Sequence, residues 1–136
     1  MKSVFDRVNP ELTEKLDPFL KGLWDHYFRC EIDGWEKVES KNLEKFLFVG
    51  NHNGLLTFEV LMMFYAWKKR FGHAKRALGL AHGIVLKNPF FNWLLTPMGA
   101  IPANPEVADE AFARGYSLLV YPGGEKESFR PYTERK

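Results

Sequence analysis

Three short apolar runs constrain what this chain can fold into: FLFV at 46–49, ALGLA at 77–81 and SLLVY at 117–121. Each is unbroken, the pattern of a strand buried on both faces. Each stops at polar or turn-forming residues: Gly50-Asn51-His52, His82 and Pro122-Gly123-Gly124. Helical patterns lie between them. From 57 to 71, Val60, Leu61, Met63, Phe64 and Trp67 keep one side apolar, and Lys68, Lys69 and Arg70 close the last turn, where the helix dipole favours cations. The stretch PFFNWLL at 89–95 is a short aromatic helix stopped by Pro97, and GAIP at 99–102 is a brief strand. Asn104-Pro105-Glu106 supplies a cap, a first-turn proline and an acidic first turn for a helix through Val107, Ala111 and Phe112 to Gly115. Strands alternating with helices predict an α/β fold, a mostly parallel sheet with flanking helices and right-handed crossovers.

The ends of the chain follow different rules. Asn9-Pro10-Glu11 opens an N-terminal helix over 9–28 carrying Leu12, Leu16, Phe19, Leu20, Leu23, Trp24 and Tyr27. Pro18 predicts a kink there, or two shorter helices. The broad aromatic face is expected to pack on the sheet, with a membrane surface as the alternative. Phe28, Cys30 and Ile32 alternate with charged residues and predict a half-buried strand closed by a turn at Asp33-Gly34. Residues 35–45 read as a charged loop. After the last apolar run, at 117–121, a parallel unit needs another crossover, yet 125–136 (EKESFRPYTERK) is polar and aperiodic. The expectation is a single domain, with a helix at 9–28, an α/β core at 29–124 and a polar tail at 125–136, incomplete at its C-terminus because the chain is a fragment of a larger domain.

Composition narrows the function. With 19 basic and 17 acidic residues the net charge is +2, so no charge excess marks a nucleic-acid binder. Aromatic residues make up 15%, which suits a thick core, a lipid-facing surface, or both. One cysteine, Cys30, excludes an internal disulfide and reads as a core thiol. No stretch reaches the roughly 18 to 20 apolar residues that cross a bilayer, and the first residues lack an apolar leader core. The expected location is the cytoplasm, with peripheral contact on the inner face of a membrane.

His52 is the first candidate for chemistry, because strand ends are where open α/β sheets hold their reactive groups and imidazole is a near-neutral base. Glu59, seven residues on in the first turn of the next helix, is placed to hold the ring by one nitrogen; its alternative role is to satisfy the helix dipole. No serine or cysteine is evidently paired with His52, so the hydroxyl it activates would belong to the substrate. Two glycines after Pro122 free backbone N–H groups for an anion or oxyanion. His82 also ends a strand, whereas His26 and His73 have no evident partner, and the four histidines have no metal-site spacing.

Together VGNHNG and LVYPGGEKESFRP resemble the glycerolipid and lysophospholipid acyltransferase superfamily, with its H-x4-D block and later proline-glycine block. CEIDGWEKV, GLAH and GAIPANPE fall where that family has its other blocks. The resemblance implies an O-acyltransferase that moves a fatty acyl group from acyl-CoA or acyl carrier protein to a lipid alcohol, with no cofactor and no metal. It implies His52 and Glu59 as catalytic residues, and Asn51, Gly54, Thr57, Pro122, Gly123, Gly124, Lys126, Glu127 and Arg130 as substrate-binding residues. Two departures stand out. Thr57 occupies the family's acidic position, which leaves Glu59 as the nearest acid. Ala103 and Asn104 stand where phosphate-binding members carry an arginine. The Pro-Gly-Gly-x-x-Glu block resembles the diacylglycerol-acyltransferase-like branch. A non-catalytic lipid-binding module and a lipid-ester hydrolase are the alternatives.

Overall fold

The computed structural model describes residues 3–39, 45–52, 58–73 and 77–123. Four strands, β1 (Leu47–Val49), β2 (Ala77–Ala81), β3 (Ala100–Pro102) and β4 (Ser117–Val120), form one sheet in the order β1-β4-β2-β3. Every pairing is parallel, with Leu47 opposite Leu118, Leu78 opposite Leu118 and Gly79 opposite Ala100. The fold is therefore α/β with flanking helices, as the alternation of elements predicts.

Helix α1 (Pro10–Gly22) starts as the sequence dictates, with the Asn9 side chain accepting from the Leu12 N–H at 3.1 Å. Pro18 does not divide it into the two shorter helices that are one of the expected outcomes. Pro18 is exposed and Glu14, whose carbonyl loses its helical donor, is also exposed, so water can take that acceptor. The chain leaves α-helical geometry only at Leu23–Phe28, where it widens into a π-helical turn. Arg29 then takes a left-handed conformation (φ 50°), and the Cys30 N–H returns to the Trp24 carbonyl at 3.0 Å. That reversal removes the strand expected at Phe28–Ile32. The alternation there tracks an irregular segment whose Cys30 dips into the core.

Helix α2 (Trp35–Glu39) occupies part of the expected loop. Its Trp35 ring packs edge-on against Phe71 and Trp67, at 5.4 and 6.3 Å, and a long-range contact of this kind outweighs a charged local sequence. Two short helices, α4 (Gly83–Lys87) and α5 (Pro89–Leu95), follow β2, and α6 (Pro105–Ala113) links β3 to β4. Asn104 caps α6 through the Glu106 N–H at 2.7 Å.

Helix α3 (Phe58–Phe71) and α1 cover one face of the sheet, and Leu20, Leu61, Phe64, Tyr65, Leu95 and Ala100 form the larger core. On the opposite face Leu78, Ile101 and Leu118 pack against Ala111 of α6 and against Phe5 of an N-terminal 3₁₀ turn. Strand β1 corrects a second expectation. It is an edge strand, buried on one face only. Phe48 packs on Trp67 at 4.9 Å, but Leu47 and Val49 are 53% and 64% exposed, because the cover that α6 provides is centred on Leu78, Ile101 and Leu118, not on the edge. A continuous apolar run announces a strand but not which neighbours it will have.

An ionic clasp joins α1 to the end of α3. Lys68 meets Asp17, and lies 3.4 Å from Glu14, which also accepts from His73 at 2.8 Å. His73 therefore has a partner that spacing did not show, 59 residues away in the chain.

Two outcomes test this packing. A Cβ on Gly79 would sit 2.6 Å from the Phe64 Cζ, so Gly79→Ala should cost about 1–3 kcal/mol in denaturant unfolding. Adding Phe64→Leu should recover part of that loss. Glu14 is held below its ordinary 4.5 by His73 and then Lys68. Its contribution is thus present above 4.5 and fades as pH falls through the lowered value, so Glu14→Gln should flatten stability against pH in that acid range.

Candidate active site

The site begins with the pairing of β1 and β4. Past the end of β1 the Gly50 N–H still donates to the Val120 carbonyl at 3.0 Å, so the ladder carries both chains one step further. His52 lies two residues beyond Gly50, and Tyr121 directly follows β4. Two loops remote in sequence thus meet at the carboxyl end of the sheet.

There the His52 Nδ1 is bonded to Glu59 Oε1. Glu59 sits in the first turn of α3, whose N-terminus rises beside the strand ends. The side chains are 14% and 25% exposed, so the pair is sheltered yet reachable. A carboxylate at Nδ1 selects the tautomer in which that nitrogen carries the proton, which makes Nε2 the basic atom. An arrangement of this kind can remove a proton from a hydroxyl.

Tyr121 forms a third side. Its ring centroid lies 5.2 Å from that of His52, tilted by 39°. Burial, and then the Glu59 charge, push its phenol up to about 12, so it stays neutral beside the carboxylate. Sequence reasoning missed this residue. The available signal was an aromatic just before Pro122, matched by a glycine just after β1.

Of the other residues singled out in the sequence, Asn51 is exposed beside His52, Pro122 is exposed, and Gly123 is half-buried at the end of the β4 loop. Gly54, Thr57, Gly124, Lys126, Glu127 and Arg130 lie outside the described residues. His82 caps α4, its Nδ1 accepting from the Ile84 N–H at 3.3 Å. Cys30 is half-buried, and burial raises its thiol above the ordinary value, the behaviour of a core thiol rather than a nucleophile. Among the described residues no three His, Cys, Asp or Glu side chains are grouped to hold a metal ion. Nor, among them, is any helix long and apolar enough to cross a membrane.

Ala103 and Asn104 follow β3. The Ala103 N–H donates to the Ala81 carbonyl at 2.9 Å, and the Asn104 side chain is committed to capping α6. This corner is built by backbone pairing and a helix cap.

Comparison with curated proteins and with solved structures returns no match. The sequence model of a known family does match, over residues 29–136, from the segment that follows the π-helical turn to the last residue. That span holds the whole sheet, the His52–Glu59 pair and Tyr121, and the chain belongs to the acyltransferase family.

Proposed function

We propose that this chain is an O-acyltransferase that moves a fatty acyl group from acyl-CoA or acyl carrier protein to a hydroxyl of a glycerolipid or another lipid alcohol. The observation that carries this reading is the bond from His52 Nδ1 to Glu59, made at the strand ends of an acyltransferase domain. His52 Nε2 takes the proton of the acceptor hydroxyl as its oxygen bonds to the thioester carbonyl carbon. The tetrahedral intermediate then collapses, the carbon–sulfur bond breaks, and the leaving thiolate recovers the proton from the imidazolium. Glu59 keeps the ring in one tautomer and stabilises the imidazolium while it exists.

Acyl transfer of this kind needs no cofactor beyond the acyl-thioester co-substrate. Negative charge on the carbonyl oxygen would be met by backbone N–H groups of the loop at Gly123 and Gly124, where donors fixed in advance are worth several kcal/mol. Asn51, Gly54, Thr57, Pro122, Lys126, Glu127 and Arg130 would contribute to the acceptor site.

A neutral or bulky alcohol is favoured over glycerol 3-phosphate. Ala103 and Asn104 offer no guanidinium for a bidentate phosphate clamp, and the Pro-Gly-Gly-x-x-Glu block supports the diacylglycerol-acyltransferase-like branch. Exposed Phe19, Tyr27, Ile84, Phe90 and Trp93 support contact with acyl chains or with the surface of a membrane, from the cytoplasmic side.

Labelled long-chain acyl-CoA, offered with and without mono- or diacylglycerol, tests the reading. Thiol release should depend on the acceptor, and His52→Ala should lower transfer by about 10²- to 10⁴-fold. Glu59→Gln should lower kcat by roughly tenfold or more with little change in KM. Full transfer by His52→Ala would sink the assignment, and release without any acceptor would mark a hydrolase instead.

A further inference from the structure

Between the ends of β1 and β4, glycine and tyrosine are fitted to one another. A Cβ built on Gly50 would lie 2.7 Å from Tyr121 Cε1, 3.2 Å from Cδ1 and 3.4 Å from Cζ. One edge of the ring therefore occupies the space that any side chain on Gly50 would take. Non-bonded carbon atoms sit about 3.5–4.0 Å apart at best, so a Cβ here cannot be absorbed without moving the ring. Gly50 is itself anchored, its N–H bonded to Val120 at 3.0 Å, so the ring would have to yield. Among the described residues it also meets His52, at a ring-centroid distance of 5.2 Å.

We infer that Tyr121 is a positioning residue for His52: seated on Gly50, its ring forms a wall that holds the imidazole against Glu59. The inference rests on the reading of His52 as the general base. Glu59 holds His52 by one nitrogen, and a ring packed against the imidazole limits its rotation about that hydrogen bond. The wall also keeps water from the His52–Glu59 bond, which strengthens it. The hydroxyl is not required for either effect. A phenol kept neutral by burial and by Glu59 adds no second negative charge beside the carboxylate. Among the described residues, Glu59 from α3 and Tyr121 from the end of β4 face His52.

The test is a set of variants in the full chain, assayed with labelled long-chain acyl-CoA and diacylglycerol. Tyr121→Leu should lower kcat about 10- to 100-fold with KM little changed, since a misplaced catalytic group costs rate rather than binding. Tyr121→Phe should retain most of the rate. Gly50→Ala should lower kcat as Tyr121→Leu does, and the double variant should lose much less than the product of the two factors, because both act through one ring. A readout without turnover is the carbethoxylation rate of His52, followed by peptide mass. It should rise in Tyr121→Leu and Gly50→Ala and stay native in Tyr121→Phe.

Equal loss in Tyr121→Phe and Tyr121→Leu would overturn the proposal in favour of a hydroxyl role. So would independent, multiplicative losses in the double variant, or an unchanged carbethoxylation rate. If His52→Ala retains full transfer while carbethoxylation still follows the ring, the packing of His52 by Tyr121 stands and its reading as the base falls.

Discussion

The parallel pairing of β1 with β4 is the constraint on which the rest depends. It joins segments 71 residues apart in the chain, with the Phe46 N–H donating to the Ser117 hydroxyl at 3.3 Å at one end and Gly50 to Val120 at 3.0 Å at the other. Closing so long a loop has an entropic cost that grows only slowly with length. The burial of Leu118 and Leu119 at the centre of the sheet offsets it. Once the pairing exists, His52 and Tyr121 are brought together by nothing more than the rule that parallel strands finish at the same edge. Helix α3 then returns from that edge across the sheet, so its first turn delivers Glu59.

Much of this was legible locally. Asn9-Pro10 and Asn104-Pro105 mark helix starts because a cap and a proline act within one turn. The run at 77–81 reads as a strand because it is short, unbroken and apolar, and Leu78 is fully buried. What failed was knowledge of neighbours. The run at 46–49 looks like a two-sided strand, but the order of the sheet puts it at an edge. The alternation from Phe28 to Ile32 looks like a strand, but Arg29 turns the chain before it can pair. Trp35 anchors a helix inside a charged stretch through rings 32 and 36 residues away, Trp67 and Phe71.

The candidate site divides in the same way. His52 stood out because a polar residue at a strand end is visible in sequence, and Glu59, seven residues on, is close enough in the chain to come into consideration. The departure at Thr57 made that acid look misplaced by two residues, whereas the bond to His52 Nδ1 shows that the first turn of α3 brings it within reach. Tyr121 was hidden in an apolar run, where an aromatic reads as core. Its meaning appears only with Gly50 beneath it and His52 beside it, a relation between two strand ends that no window of sequence contains. His73 was hidden for the same reason, since its partner Glu14 belongs to α1.

The central claim is that Glu59 holds His52 in the tautomer that leaves Nε2 basic, and ¹⁵N spectra of the histidine rings in the full chain test it without any substrate. The account predicts that neutral His52 carries its proton on Nδ1 in the native protein, and that Glu59→Gln weakens this preference toward an ordinary mixture. A native His52 protonated on Nε2, or a tautomer ratio indifferent to the loss of the Glu59 charge, would contradict it.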